Sequence, residues 1–168
     1  MKPIHEEISD LLTEPSEDRF ASTLEARKKA MDFLARREYG HTELVKKLIG
    51  KGFQPAAAEA AVAKLAGEGL QSDQRFAENF AQSRINQGKG PVRIRLELGQ
   101  RGIGDAAVDS VLDNVAVNWT EMAREIRARK FGSSRPADFK DKARQMRFLQ
   151  YRGFEAEQIQ AAVGGRDE

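Results

Sequence analysis

Cysteine is absent from the 168 residues, which removes disulfide frameworks, thiol catalysis and thiolate metal sites together. Histidine is almost absent: His5 and His41 are too few for the common imidazole chemistries. No run of 18 apolar residues occurs, so no membrane span is expected. The opening Met1-Lys2-Pro3-Ile4-His5-Glu6-Glu7 holds no apolar stretch, and no secretory signal is expected. No segment alternates at period two and β-branched runs are missing, so strands are not expected. Neither a nucleophile–base pair nor a ligand set for a metal stands out, so no enzyme and no cofactor are expected. What remains is 40% hydrophobic and 32% charged, which suits a soluble, charge-rich helical protein of the cytoplasm.

The net charge of +2 is unevenly placed. Residues 1–23 carry six acidic and two basic side chains, and residues 24–168 carry 20 and 26. The basic excess sits mostly in the last third, where 119–166 is +5. With Pro3, Pro15 and Ser16, the acidic lead-in reads as an extension, and the folded body is expected to start near Thr23.

A repeat of about fifty residues organises the rest. Lys51-Gly52-Phe53, Arg101-Gly102-Ile103 and Arg152-Gly153-Phe154 share one form, with glycines 50 and 51 residues apart. Four residues before each glycine stands Leu48, Leu98 or Leu149, and twelve before stands Gly40, Gly90 or Asp141. Six after stands Ala58, Val108 or Ile159, and ten after stands Val62, Leu112 or Val163. The residues twelve before fit helix N-caps, with Pro91 tolerated in a first turn. The repeated glycines fit the left-handed position that closes a helix, and the basic residue before each complements the helix end.

A second helix follows each glycine, at about 55–68, 105–117 and 155–163. Another precedes each copy, at about 24–38, 73–87 and 119–131, the first with Ala30, Phe33, Leu34 and Arg37 at helical spacing. The expected fold is all-α: an elongated, curved tandem array of three three-helix repeats. The expected divisions are 1–22, an acidic N-terminal extension, and repeats at 23–70, 71–118 and 119–168.

The residues Leu34-Ala35-Arg36-Arg37-Glu38-Tyr39-Gly40-His41-Thr42-Glu43-Leu44 and Lys51-Gly52-Phe53 resemble the first repeat of the bacterial RecX proteins. The similarity strengthens at Ser72-Asp73-Gln74-Arg75-Phe76-Ala77-Glu78-Asn79-Phe80 and at Gly88-Lys89-Gly90-Pro91-Val92-Arg93-Ile94. It runs on through Lys142-Ala143-Arg144-Gln145-Met146-Arg147-Phe148-Leu149 and covers about 24–163. The resemblance implies a tandem of three-helix repeats and a regulator of the RecA recombinase, acting in DNA repair and the SOS response. The implied partners are RecA and the RecA–single-stranded DNA filament, with inhibition of ATP hydrolysis and strand exchange. It implies no catalytic residues and no cofactor. A monomer is expected. Gln145 stands where Leu44 and Ile94 stand in the other repeats, so Met146 and Phe148 are expected to carry packing there.

Candidate contact residues come from basic stripes at helical spacing. In the third repeat Arg124, Arg127 and Lys130 form one stripe, and Lys140, Arg144, Arg147 and Tyr151 another. Arg93 and Arg95 in the second repeat, and Lys46 and Lys47 in the first, lie on the equivalent helices. Such a track could meet acidic protein patches or phosphates, or be an ordinary solvated face in which Glu125 pairs with Arg129. Lys51, Arg101 and Arg152 are read as helix-end residues with a local role. His41-Thr42-Glu43 lacks a second ligand set, and Gly88-Lys89-Gly90 lacks the spacing and preceding strand of a phosphate loop. The phenylalanines fit core positions better than base-stacking ones. The role of Trp119 is not readable. A direct DNA-binding helical repeat protein is the alternative function, separable by the steep salt dependence of phosphate contacts.

Overall fold

The computed structural model describes residues 16–164. These residues are helical and contain no strand. Helices α1 (Ser16–Ala21), α2 (Thr23–Leu34), α3 (His41–Gly50) and α4 (Pro55–Gly67) lie in a first compact unit, which ends at Asp73. Helix α5 (Asp73–Asn86) leads into a second unit, which begins at Gln74. That unit continues with α6 (Pro91–Gln100), α7 (Asp105–Asn114), α8 (Trp119–Phe131), α9 (Phe139–Arg152) and α10 (Ala156–Val163). Most of the acidic lead-in, 1–15, lies outside the described residues.

Three apolar cores correspond to the three copies. In the first unit Ala30, Phe33, Leu44, Leu48, Phe53, Val62 and Leu65 close together. The second unit holds two cores, one around Phe76, Ile94, Leu98, Ile103 and Val108, the other around Ile126, Leu149, Phe154, Ile159 and Val163. Trp119 packs against both of these. Ordered backbone begins before Thr23: the half-buried Phe20 meets Phe53 edge-on at 5.5 Å, and its carbonyl accepts from the Gln54 amide at 2.8 Å.

The repeated glycines close their helices alike. Gly52, Gly102 and Gly153 have φ of +101°, +81° and +95°, the region a Cβ disfavours. The amide after each reaches back to the leucine five residues earlier: Phe53 to Leu48, Ile103 to Leu98, and Phe154 to Leu149, at 3.1–3.2 Å. Each glycine amide also bonds the residue three before it, which completes a Schellman closure. The two apolar partners in each motif are buried in the same core. Here the spacing in sequence becomes a hydrogen-bond pattern and then a packing contact.

Three expected boundaries shift. The first helix stops at Leu34, short of 38, and Arg37 leaves the helix to lie 3.7 Å from the Tyr39 ring centroid and pair with Glu43 at 2.7 Å. The helix after Gly102 stops at Asn114, whose amide bonds the Ser110 carbonyl. Asp141 is not an N-cap. Asp138 takes that role, accepting from the Asp141 amide at 2.7 Å, and Asp141 in turn accepts from the Ala137 amide at 3.0 Å. This reciprocal pair starts α9 nearly a turn earlier than its counterparts.

The two glycine caps do not lack partners. At the start of α3, Asp73 accepts from the His41 amide at 2.7 Å, supplying the oxygen that Gly40 cannot. Buried Gln71 braces that carboxylate and the Tyr39 carbonyl. At the start of α6, the amides of Gly90 and Val92 donate to the carbonyls of Arg152 and Gly153 at 2.8 and 2.9 Å. The positive end of α6 therefore abuts the negative end of α9. Gly90 and Gly153 permit this approach: a Cβ on Gly90 would overlap the Gly153 carbonyl, and one on Gly153 would overlap Arg93. Arg152 adds a bond to the Gln87 carbonyl at 3.1 Å. The second and third copies thus form one unit.

Candidate partner-docking surface

The first basic stripe of the third copy does not survive as drawn, whereas the second keeps Lys140, Arg144, Arg147 and Tyr151 exposed along α9. Helices α8 and α9 pack along Ala123, Ile126 and Leu149, and this contact turns part of the first stripe inward. Arg127 is 8% exposed; its Nε donates to Gln145 Oε1 at 2.7 Å and its Nη2 to the Ser134 carbonyl at 2.6 Å. It holds the α8–α9 connection and is withdrawn from the open surface. Gln145, 3% exposed, occupies the Leu44 and Ile94 position as a polar core residue whose partner is Arg127. Met146 and Phe148 pack beside it against the same core, half-buried. Arg124 is also half-turned in and pairs with Glu121.

What the fold assembles instead is a seam of cations and rings. Phe131, ending α8, meets Phe148 of α9 edge-on at 5.3 Å. Arg144 lies 5.1 Å from the Phe131 centroid, and Lys130 and Arg152 lie 5.9 and 5.4 Å from that of Phe148. Cations near ring faces at these distances gain about 0.5–1 kcal/mol at exposed sites. Lys130 and Arg144, from different sequence stripes, therefore share one seam. Arg152, read from sequence as a helix-end residue, joins them because α9 runs fourteen residues and carries Arg144, Phe148 and Arg152 at i, i+4, i+8. That extended i+4 ladder was the signal available in the sequence.

Asp141 is the one carboxylate paired on this seam among the described residues, at 2.9 Å from Arg144. The Ala137 amide, then Arg144, holds its carboxyl below the usual carboxylate range. Lys140 and Arg147 are exposed on the same helix, and Phe139 and Tyr151 are exposed rings at its two ends.

On α6, Arg93 lies 5.4 Å from the Tyr151 centroid and donates to the Tyr151 carbonyl at 3.3 Å, so it adjoins α9. Arg95 is exposed and pairs with Asp109 at 2.7 Å. Lys46 and Lys47 are exposed on α3 in the first unit, with Lys47 6.0 Å from the Phe33 centroid. His41 is structural at its backbone, and its ring meets Glu59 at 3.1 Å. Among the described residues, no group of three or more His, Cys, Asp or Glu is placed to hold a metal ion, and no helix is long and apolar enough to cross a membrane.

Glycine-closed helical modules bearing exposed cations and rings define a tandem helical-repeat protein. Comparison with known proteins makes this specific. Residues 26–65, 72–112 and 120–163 match the first, second and third three-helix domains of RecX. The Regulatory protein RecX of Halorhodospira halophila is 45% identical over 88% of this chain and 92% of its own. That of Pseudomonas fluorescens is 44% identical over 83% and 90%. The chain belongs to the RecX family of regulatory proteins, which are not enzymes. A crystal structure of regulatory protein RecX covers 98% of this chain and 80% of its own, with a TM-score of 0.73 at 22% identity. RecX from Lactobacillus salivarius covers 84% and 94%, with 0.72 at 19%. At those identities the structures speak to fold alone, and the fold is all-α with three tandem three-helix domains.

Proposed function

We propose that this protein binds RecA and the RecA–single-stranded DNA filament in the bacterial cytoplasm and inhibits recombinase and ATPase activity. The observation that carries the reading is membership of a family of regulatory proteins across all three domains. The cationic seam supports it, because a filament of protein and DNA presents acidic and phosphate groups along its length. The repeats 23–70, 71–118 and 119–168 act as modules, and Lys130, Lys140, Arg144 and Arg147 are the leading contacts. Arg93, Arg95, Lys46, Lys47 and Arg124 are secondary ones: the first four lie outside the third copy, and Arg124 is half-turned in and paired with Glu121.

The test is binding to an immobilised single strand, bare or coated with RecA. The protein should bind the coated strand far more tightly. Arg144→Glu with Arg147→Glu should weaken that binding while helicity stays intact. Equal binding to both strands, rising steeply as salt is lowered, would instead favour the direct DNA-binding alternative.

A further inference from the structure

A cleft of about 290 Å³ opens where the C-terminal ends of α5, α8 and α9 converge, wholly inside the second unit. Asn86, Gln87 and Gly88 form one wall, Arg129 and Lys130 another, and Arg152 closes it above Phe148. The chain can pass so close because Gly88 is left-handed at φ +79°; a side chain there would press on Arg152 and Ile126 at 3.2–3.3 Å.

The charge in this cleft is of one sign. Three cationic side chains line it and no carboxylate does. Arg129 and Lys130 have no ion-pair partner among the described residues, so the Glu125–Arg129 pair of the solvated-face alternative is not formed. Arg152 spends Nη1 on the Gln87 carbonyl and is held there, leaving the rest of its fork toward the cleft as a fixed donor set. Three helix C-termini meeting at one place would by themselves repel an anion. Three cations placed over them reverse that field; each stands in the last turn of its own helix, and a local helix-end role does not account for their convergence on one cleft. The cavity is smaller than a drug-sized ligand needs and is open, which suits a small anionic group carried on a longer chain.

We propose that this cleft is a phosphodiester subsite: one backbone phosphate of a single-stranded nucleic acid sits between Arg129, Lys130 and Arg152. Asn86 and Gln87 flank it, and the adjoining cations of the seam, with Arg144 beyond Phe131, continue the strand's path. In taking the strand to be single, the inference rests on the filament reading above. Its prediction for bare DNA stands separately.

The experiment is a titration of fluorescein-labelled oligo-deoxythymidylate with the full-length protein at several salt concentrations. Each phosphate contact on a single strand contributes about 0.7 to the slope of log K against log salt. Arg129→Gln with Lys130→Gln should lower that slope by about 0.7, the share of the one phosphate they hold, and weaken low-salt binding several-fold. Both residues are exposed and form no ion pair, and the Lys130 contact with the Phe148 ring is a surface one, so the far-ultraviolet circular dichroism should stay at wild-type values and the melting midpoint close to them. Lys28→Gln with Lys64→Gln removes the same charge from the first unit and should leave the slope unchanged. Inorganic phosphate at matched ionic strength should compete weakly, as a lone anion lacks the flanking contacts. Equal losses in the two double variants would overturn the proposal, as would an unchanged slope in the first. RecA ATPase inhibition is measured alongside. If wild-type protein fails to inhibit yet the slope behaves as expected, the filament reading falls and the subsite stands; the reverse result removes the subsite alone.

Discussion

Gly90→Ala tests the joint between α6 and α9 without changing charge. Gly90 has φ of −84°, so alanine there carries no backbone penalty. The added methyl would overlap the Gly153 carbonyl and stand 2.7 Å from the Phe154 nitrogen, both backbone atoms inside a helix closure. Neither can swing aside as a side chain would. Overpacking of this kind costs about 1–3 kcal/mol. If the ends separate, the bonds from Gly90 and Val92 to the α9 carbonyls go too, at about 1 kcal/mol each. The total expected loss is about 3–5 kcal/mol from the second unit. Gly99→Ala is the control: it lies in α6 with nothing within 4 Å and should stabilise by about 0.5–1 kcal/mol. Trp119 is the single tryptophan and packs against both cores of this unit, so urea unfolding followed by its fluorescence reads this unit. Gly90→Ala with Gly153→Ala should cost less than the two singles combined, because the joint opens once. A Gly90→Ala midpoint equal to wild type, or strict additivity, would refute the reasoning.

Gln145→Leu restores the apolar pattern of the other copies but strands the Arg127 Nε, and should destabilise by about 1–3 kcal/mol; adding Arg127→Met should recover most of that in a denaturation cycle. Asp73→Ala removes the acceptor for the His41 amide and should cost about 1 kcal/mol, seen as faster amide exchange at the start of α3. The lowered Asp141 pKa means its contribution is full above the ordinary carboxylate value near 3.8 and is lost as pH falls through the lowered folded value. Exchange protection at the start of α9 should therefore fall in strong acid, and Asp141→Asn should remove that dependence; protection insensitive to acid in wild type would contradict it.

The helical modules were legible because each glycine, leucine and following apolar residue serves one local closure, and local closures keep fixed offsets. Gly52, Gly102 and Gly153 all take the expected left-handed turn. The joint was not legible: Gly90 looks like a weak cap from its neighbours alone, and only the fold brings the α9 carbonyls to it. The first basic stripe failed for a related reason. Helical spacing places Arg127 beside Lys130, but which edge of the stripe is buried depends on α9, where Gln145 offers Arg127 a buried partner. Arg129 and Arg152, 23 positions apart, have no common sequence pattern, and they converge only through helix ends meeting.

The most direct measurement of the central claim is RecA ATP hydrolysis on single-stranded DNA, titrated with this protein up to stoichiometric amounts. The account predicts progressive inhibition, relieved by Arg144→Glu with Arg147→Glu. Undiminished hydrolysis at one protein per RecA would contradict it.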